Sequence, residues 1–362
     1  MMGKNRNVEI ANIQVLLSIL VVLIHADCVF INLPGEKLQY VYGPNYSTFI
    51  QMFISEGICR IAVPMFFVLS GFLFYRSFNG TLKQYVQKLK RRFFSLAIPY
   101  VFWSGIVFFA FYFAQKLPGM GGYFTTRNAS DLSVKVLFEN IILSSYNSPL
   151  WFCRYLIVFS VLSIALYWLY RYSAIPMLII LFYAWFFNHS FDLGIRMDAL
   201  FFYSCGAIIA MFPMQAGILC KKAKKWIAFF VIVWFCCLLA HTVLLCHKEP
   251  DYLLQGQYDP LLESIGKTGI IIGQFVFWES FRSLQIKNEW KTAPFSFLIF
   301  AMHHPIVNAI KKITMKVIGV SLFTSLFTYV FAASLTIVLI LLFGVLTRKY
   351  FPKTYRIITG GR

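Results

Sequence analysis

Acidic residues are scarce in this chain, which has 14 Asp and Glu against 33 Lys and Arg and a formal net charge of +19. Several catalytic and binding motifs are missing as well. The sequence has no phosphate-binding P-loop, no G-x-G-x-x-G stretch and no G-x-S-x-G nucleophile elbow. It therefore gives no support to a nucleotide-binding fold or to a classical serine hydrolase.

Paired cysteines are also lacking, because none of the eight cysteines forms a C-x-x-C motif. Most of them fall inside apolar runs, where a thiol packs as a small apolar group. We therefore expect neither a disulfide framework nor a metal site. The eight are Cys28, Cys59, Cys153, Cys205, Cys220, Cys236, Cys237 and Cys246.

Apolar residues are abundant: 59% of the chain is hydrophobic and 19% aromatic, whereas a soluble protein has about 45–50% apolar residues. In such a chain an excess of Lys and Arg indicates cytoplasmic loops of a membrane protein. We therefore expect the lipid bilayer, and no nucleic acid, as a partner. No linker, repeat or low-complexity segment is evident, so residues 1–362 are interpreted as one integral membrane domain.

The apolar runs predict an all-α fold, a polytopic membrane bundle of about ten transmembrane helices. The predicted spans are 8–30, 47–75, 93–115, 150–170, 174–190, 198–213, 226–246, 261–280, 295–311 and 322–347. Residues 131–145 are predicted to form an interfacial or re-entrant helix. Lys4 and Arg6 before the first run resemble a signal peptide, but no small-x-small cleavage site follows, so we expect a retained helix.

Basic residues set the expected orientation. The run ICRIAVPMFFVLSGFLFYR (58–76) is followed by the basic block TLKQYVQKLKRRFF (81–94). With both termini in the cytoplasm, roughly 21 basic residues fall inside and 9 outside, as the positive-inside rule requires. One loop fits poorly, because Lys311–Lys316 is basic and is placed outside; snorkelling from the end of the ninth span is one explanation.

Ionisable residues inside spans are costly to insert, so each is a functional hypothesis. They are His25, Asp27, Glu56, Arg60, Arg154, His241, Glu263, Lys267, His303 and His304. Most of them fall in the predicted outer half. Structural roles stay open: Glu56–Arg60 and Glu263–Lys267, each spaced i,i+4, can neutralise themselves, and an arginine close to a helix end can snorkel.

His25 stands without a local partner in the aliphatic stretch LLSILVVLIH. A histidine is the commonest general base near neutral pH. It can take the proton of a hydroxyl that attacks an acyl carbonyl, and Arg60 is a candidate for stabilising the resulting oxyanion. Since neighbours on a helix point about 100° apart, only one of His303 and His304 is expected to face this site.

Several stretches together resemble the membrane-bound acyltransferase 3 family. They are IANIQVLLSILVVLIHA, VPMFFVLSGFLFYR, KLKRRFFSLAIPYVFW, SPLWFCRYLIVF and SFLIFAMHHPIV, in the family's order. The second stretch is specific and the others are weaker individually. The resemblance implies a bacterial cytoplasmic (inner) membrane protein that transfers an acyl group, most often acetyl, from cytoplasmic acyl-CoA to a hydroxyl of a surface sugar or glycan.

The resemblance also implies site residues. His25 matches the essential first-helix histidine, and either His303 or His304 matches the late-helix histidine. With Arg60 and Glu56 they form the expected catalytic group. For the donor we expect Gln14, Arg76, Lys88, Lys90, Arg91 and Arg92, and for the acceptor Trp151, Arg154 and Lys267.

Gln14 departs from the family, which usually has an arginine eleven residues before the first-helix histidine. Glutamine donates hydrogen bonds but carries no charge. Three alternatives follow: Arg60 supplies the missing cation, the donor is bound differently, or activity is lost. A different class also stays open, a transporter or flippase of a glycan or small solute, because intramembrane charges suit that function too.

Overall fold

The structure, a computed structural model, describes residues 2–33, 38–118, 132–189 and 194–361. The α-helices are α1 (Met2–Ala26), α2 (Tyr46–Met52), α3 (Ala62–Tyr75), α4 (Leu82–Arg92), α5 (Ile98–Gln115), α6 (Val134–Leu137), α7 (Trp151–Val161), α8 (Ser163–Phe186), α9 (Met197–Met211), α10 (Pro213–Lys224), α11 (Ile227–Cys246), α12 (Pro250–Leu254), α13 (Pro260–Ser283), α14 (Ser296–Ile318), α15 (Leu322–Tyr350) and α16 (Pro352–Thr359). Between them lie π turns Phe53–Gly57, Phe93–Ala97 and Phe138–Leu143 and 3-10 turns Ile58–Ile61, Ser148–Leu150 and Ala293–Phe295. Strands β1 (Phe30–Ile31) and β2 (Gln39–Tyr40) form a small antiparallel pair.

The predicted helical membrane architecture is confirmed. In the described part of the chain, seven helical segments are long and apolar enough to cross a membrane, or eight if α9 and α10, bent by 107°, form one span. The seven are Val8–Ala26, Tyr46–Tyr75, Leu82–Gln115, Ser163–Phe186, Ile227–Cys246, Ala293–Ile318 and Leu322–Tyr350. Ser148–Val161 is apolar but shorter. The 24-residue α13 has the length of a span and carries four charges, so the total of ten spans stays a prediction.

Several boundaries differ from the prediction. The span predicted at 150–170 is interrupted, because α7 ends at Val161 and α8 begins at Ser163. The break predicted before 174 is a kink at Ser173 inside α8. Helix α14 continues past 311 to Ile318, so Lys311 lies on a helix and not in a loop. In 131–145 the described residues form only α6 and a π turn, which are too short to cross.

The chain runs back and forth between two ends of the bundle. At one end, here called the basic end, lie α4, α10 and α16. Tyr85 on α4 donates to the Val161 carbonyl at 2.7 Å, which places the end of α7 there too. At the opposite end, the cavity end, lie the last turn of α1 and the first turns of α9 and α13. The positive-inside rule predicts that the basic end faces the cytoplasm.

Helices α3 and α9 cross with almost no space between their backbones. A Cβ on Gly71 would lie 2.1 Å from the carbonyl oxygen of Tyr203, and one on Gly206 would lie 1.9 Å from that of Val68. Small residues permit such close helix packing in membranes. The glycine of the VLSGF stretch therefore has a structural role, since it lets α3 reach the bundle interior.

Candidate active site

Three histidine rings meet at the cavity end. The ring centroid of His25, at the end of α1, lies 5.2 Å from that of His303 and 5.0 Å from that of His304. The two rings on α14 are 6.4 Å apart. The expectation that only one of them faces the site is wrong, because the His25 ring packs against both.

Hydrogen bonds fix the proton positions on the two α14 rings. His303 is fully buried, and its Nδ1 lies 2.7 Å from the Phe300 carbonyl oxygen and 3.1 Å from that of Ile299. A carbonyl only accepts, so Nδ1 carries the proton and Nε2 is a lone pair. That Nε2 is buried without a hydrogen-bond partner. On His304 it is Nε2 that accepts, from the Asn308 amide at 3.2 Å.

Lys311 holds the end of α1. Its ammonium donates to the carbonyl oxygens of His25 and Asp27, both at 2.8 Å. The last carbonyls of a helix have no partner within the helix, and a cation there is favourable. The basic stretch that fitted the outer loop poorly therefore contains a residue that contacts α1, and Lys311 lies two turns beyond His304 on the same face of α14.

Polar side chains of α2, of the π turn after it and of α15 also hold the end of α1 in place. The Gln51 side-chain oxygen accepts from the Cys28 backbone amide at 2.7 Å, and Ser325 donates to the Cys28 carbonyl at 2.9 Å. Ser55 donates to the Leu23 carbonyl at 3.0 Å. All of these groups are buried or partly buried. His25 consequently sits on a helix end whose backbone is fixed from three sides.

A cavity of about 800 Å³ opens at the same end of the bundle. Its walls are Glu56, Arg60, Tyr155, Ala184, Trp185, Asn188, His189, Gly194, Ile195, Arg196, Met197, Asp198, His241, Glu263, Gly266, Lys267 and Ile270. Three acid–base pairs are among them. Charged, amide and aromatic side chains therefore converge on one space large enough for a small ligand.

The Glu56–Arg60 pair lies where the second membrane segment is not α-helical. Glu56 belongs to the π turn after α2, and Arg60 belongs to the 3-10 turn before α3. The Nε and Nη2 groups of Arg60 donate to Glu56 Oε2. Both residues line the cavity. The pair therefore lies on the cavity wall at the point where this membrane segment departs from α-helix.

The second pair, Arg196–Asp198, was not found from the sequence. Arg196 donates from Nε and Nη2 to the two carboxylate oxygens of Asp198 at 3.0 and 2.7 Å. Its guanidinium also lies 4.3 Å from the centre of the Trp151 ring. Trp151 thus contacts the cavity through Arg196 and is not itself part of the wall. In the sequence, this pair is visible only as an Arg-x-Asp spacing before an apolar run.

Lys267, expected at the acceptor site, is buried and lines the cavity. Its ammonium donates to the carbonyls of Trp185 and Phe186, both at 3.1 Å, and to the Asn188 side chain at 2.6 Å. Glu263 lies 3.5 Å away. Lys267 therefore caps the end of α8 and also contributes a positive charge to the cavity wall, so one side chain has both a structural and a ligand-facing position.

Arg154, also expected at the acceptor site, points elsewhere. Its Nη1 donates to the Leu143 carbonyl of the preceding π turn, and Nη2 lies 3.3 Å from the Tyr155 hydroxyl. Tyr155 itself lines the cavity. Arg154 is therefore placed as a support for the segment before α7, and it reaches the cavity only through Tyr155.

His241 lines the cavity, although it was not among the site residues expected from the sequence. It lies on α11 against Gly266 of α13, where an added Cβ would come within 3.0 Å of its ring. Its Nδ1 is buried and has no hydrogen-bond partner. The sequence placed His241 among the ionisable residues inside spans, but it gave no indication that α13 and its cavity lie beside it.

The first turn of α13 is fixed by Asp259. Its side chain accepts from the backbone amides of Leu261 and Leu262 at 2.9 and 3.1 Å, and it also accepts from Lys248. The hydrogen bond from Lys248 holds the pKa of the Asp259 carboxyl below its usual value, with the two amides contributing. The cap sets the start of the helix that carries Glu263 and Lys267.

At the basic end, the predicted donor residues separate into two groups. Lys88 donates to the Phe74 carbonyl at 2.7 Å, and the Arg92 guanidinium lies 5.6 Å from the Phe74 ring centre, so both pack against α3. Lys90 and Arg91 are exposed and line a groove of about 630 Å³. Arg76 caps α3 and is exposed.

Gln14 lies in the interior of α1, partly buried. Eleven residues of α-helix cover about 16 Å, or three turns, so Gln14 and His25 lie on the same face of α1 at different depths. Among the described residues, no three His, Cys, Asp or Glu side chains are arranged to hold a metal ion.

A polytopic helical bundle with ionisable residues clustered at one end defines a multi-pass membrane protein. The family model described as an acyltransferase domain matches residues 7–345, and the chain therefore belongs to the acyltransferase 3 family. It is an acyltransferase that transfers groups other than aminoacyl groups. The chain is 26% identical over 358 residues to the succinoglycan biosynthesis protein ExoH of Rhizobium meliloti (strain 1021), covering 97% of this chain and 93% of that protein. No solved structure matches significantly.

Proposed function

We propose that this protein, in a bacterial cytoplasmic membrane, moves an acyl group, most often acetyl, from cytoplasmic acyl-CoA to a hydroxyl of a cell-surface sugar or glycan. The observation that carries the proposal is the cluster of His25 with His303 and His304 at the end of the bundle where a charged cavity opens. Family membership supports the reaction type. The name of its relative from Rhizobium, a succinoglycan biosynthesis protein, supports a polysaccharide acceptor.

His25 is the general base in this proposal. It takes the proton of the acceptor hydroxyl while the hydroxyl oxygen attacks the thioester carbonyl. The tetrahedral intermediate collapses when the C–S bond breaks, and the CoA thiolate receives the proton from the imidazolium. The products are the acyl ester and free CoA, so one hydroxyl proton is moved to sulfur and no other reactant is needed.

His303 orients His25. Its Nδ1–H is held by backbone carbonyls and its buried Nε2 has only a lone pair, so it can accept but not donate at that atom. A His25 ring that donates one N–H to this lone pair presents its other nitrogen to the acceptor. The His304 ring packs edge-on against His25 and restricts its ring plane.

The charged cavity is the acceptor site in this proposal. Sugar hydroxyls are bound well by carboxylate, guanidinium and aromatic groups, all of which line it. In this proposal Arg60, a cavity residue, stabilises the oxyanion, because its Nη1 takes no part in the bond to Glu56. This gives Arg60 the role of the cation that Gln14 does not supply.

The test is release of CoA from acetyl-CoA or succinyl-CoA by the purified protein in lipid, with envelope glycans as acceptors. We expect His25→Ala to lower the rate by about 10²–10⁴-fold, the usual contribution of a general base. His247→Ala is the matched control, since His247 is exposed at the end of α11. Absence of CoA release from the wild-type protein, with transport of a glycan or solute instead, would contradict the proposal.

A further inference from the structure

The groove at the basic end lies between two elements far apart in sequence. Its walls are Gln87, Lys90, Arg91, Phe94, Ser95 and Gly360. The first five belong to the end of α4 and the π turn after it, and Gly360 belongs to the turn that ends α16. The volume, about 630 Å³, is that of a small-molecule site.

Two cations of this groove, Lys90 and Arg91, have no acidic partner among the residues that the structure describes. The ion pairs found in the described residues involve neither Lys90 nor Arg91. Lys88 and Arg92, their neighbours, turn toward Phe74 instead. On α4, Lys88 and Arg92 therefore pack against α3, whereas Lys90 and Arg91 line the groove. Two unpaired cations in the groove favour an anionic ligand there.

Gly360 fixes the opposite wall. Its φ of +69° belongs to the left-handed region, and a Cβ at this position would lie 2.3 Å from the Ser95 carbonyl oxygen. The segment that precedes this contact is tied down at two points, because Trp103 donates to the Ile358 carbonyl at 2.9 Å and Tyr355 donates to the Pro294 carbonyl at 2.8 Å. The wall is thus built into the fold.

We propose that this groove holds the phosphorylated nucleotide end of the acyl donor, with the Gly360 turn as its second wall. Lys90 and Arg91 bind the phosphates, and the half-exposed ring of Phe94 stacks on the base. The inference rests on the proposed acyl-CoA donor. It adds that the segment after the last long helix belongs to the donor site, although it is remote from α4 in sequence.

The first experiment measures binding of 3′,5′-ADP, which carries phosphates and base without the thioester, to the full chain in neutral-lipid nanodiscs. Lys90→Gln with Arg91→Gln is expected to weaken binding by roughly tenfold or more. Lys83→Gln is the matched control, because Lys83 is an exposed lysine of the same helix outside the groove. Equal loss from Lys83→Gln, or binding that requires anionic lipid headgroups, would overturn the site.

The second experiment tests the Gly360 wall. Gly360→Ala is expected to weaken 3′,5′-ADP binding and to raise the KM for acetyl-CoA several-fold with kcat unchanged, whereas Gly361→Ala, also at positive φ but with open space around it, changes neither by as much as half. Unchanged 3′,5′-ADP affinity in Gly360→Ala would remove the turn from the site.

A labelling measurement needs no variant. An azido derivative of 3′,5′-ADP, photolysed on the wild-type protein, is expected to label peptides that contain Phe94 and Gly360, and labelling elsewhere would overturn the site. Nucleotide binding is measured without turnover. If the nucleotide binds but CoA release does not depend on His25, the proposed reaction is contradicted and the nucleotide site stands. If CoA release depends on His25 but the groove does not bind the nucleotide, the groove proposal is contradicted and the reaction stands.

Discussion

The Asn147 side-chain amide donates a hydrogen bond of 2.7 Å to the carbonyl oxygen of Ala301. That carbonyl lies four residues before Pro305, which sits inside α14 and has no N–H to donate to it. Asn147 thus replaces the helical hydrogen bond that the proline removes. The loop before α7 and the helix that carries His303 and His304 are joined at the turn where the histidines lie.

Asn147→Ala should destabilise the protein by about 1–3 kcal/mol, because the buried Ala301 carbonyl loses its donor. Thermal unfolding in detergent measures the change. Adding Pro305→Ala should restore part of it, since the new backbone N–H can reach Ala301. Asn140→Ala removes a hydrogen bond from a side-chain amide to the Val136 carbonyl near the surface, and it should have a smaller effect. A double variant no more stable than Asn147→Ala would argue against this account.

His303→Phe keeps a ring beside Phe300 and His25 but removes both nitrogens. We expect kcat to fall about 10–100-fold with the KM for acetyl-CoA unchanged, because the orientation of the proposed base is lost while the groove proposed for the nucleotide lies at the other end of the bundle. His304→Phe should cost less, since its Nε2 already accepts from Asn308. Steady-state kinetics of CoA release separate the two. Equal kcat values for both variants and wild type would assign both rings to packing.

Gly71→Ala and Gly206→Ala should prevent α3 and α9 from packing, since each added Cβ would overlap a backbone carbonyl of the facing helix. The expected result is loss of monodisperse protein in size-exclusion chromatography. Gly105→Ala and Gly217→Ala add the same methyl group where nothing lies within 4 Å, and both should behave as wild type. Normal yield of Gly71→Ala would mean that the helices can separate without loss of the fold.

Lys311→Met removes the donor to the His25 and Asp27 carbonyls while it keeps the length of the side chain. The end of α1 should loosen, with a lower Tm and a kcat reduced about tenfold, because a small displacement of a catalytic base is costly. Lys312→Met on the next position of α14 is the control. Identical Tm and kcat values for Lys311→Met and Lys312→Met would show that Lys311 does not position His25.

The sequence alone determined the class of this protein. Long apolar runs can satisfy their backbone groups in a bilayer only as helices, so the helical membrane fold followed from composition and length. His25 stood out for a related reason, since an ionisable side chain in an aliphatic helix is costly without a use. These are local properties of the chain, and they do not depend on how the helices are arranged.

Only the tertiary structure decided which polar residues share a site. The rotation of α14 against α1 brings both His303 and His304 to His25, and the direction of each side chain on α4 separates Lys90 and Arg91 from Lys88 and Arg92. Arg196, His241 and Gly360 gain their positions from partners distant in the chain. Helix rotation is set by packing between neighbours, and a single helix sequence with apolar residues all round does not specify it.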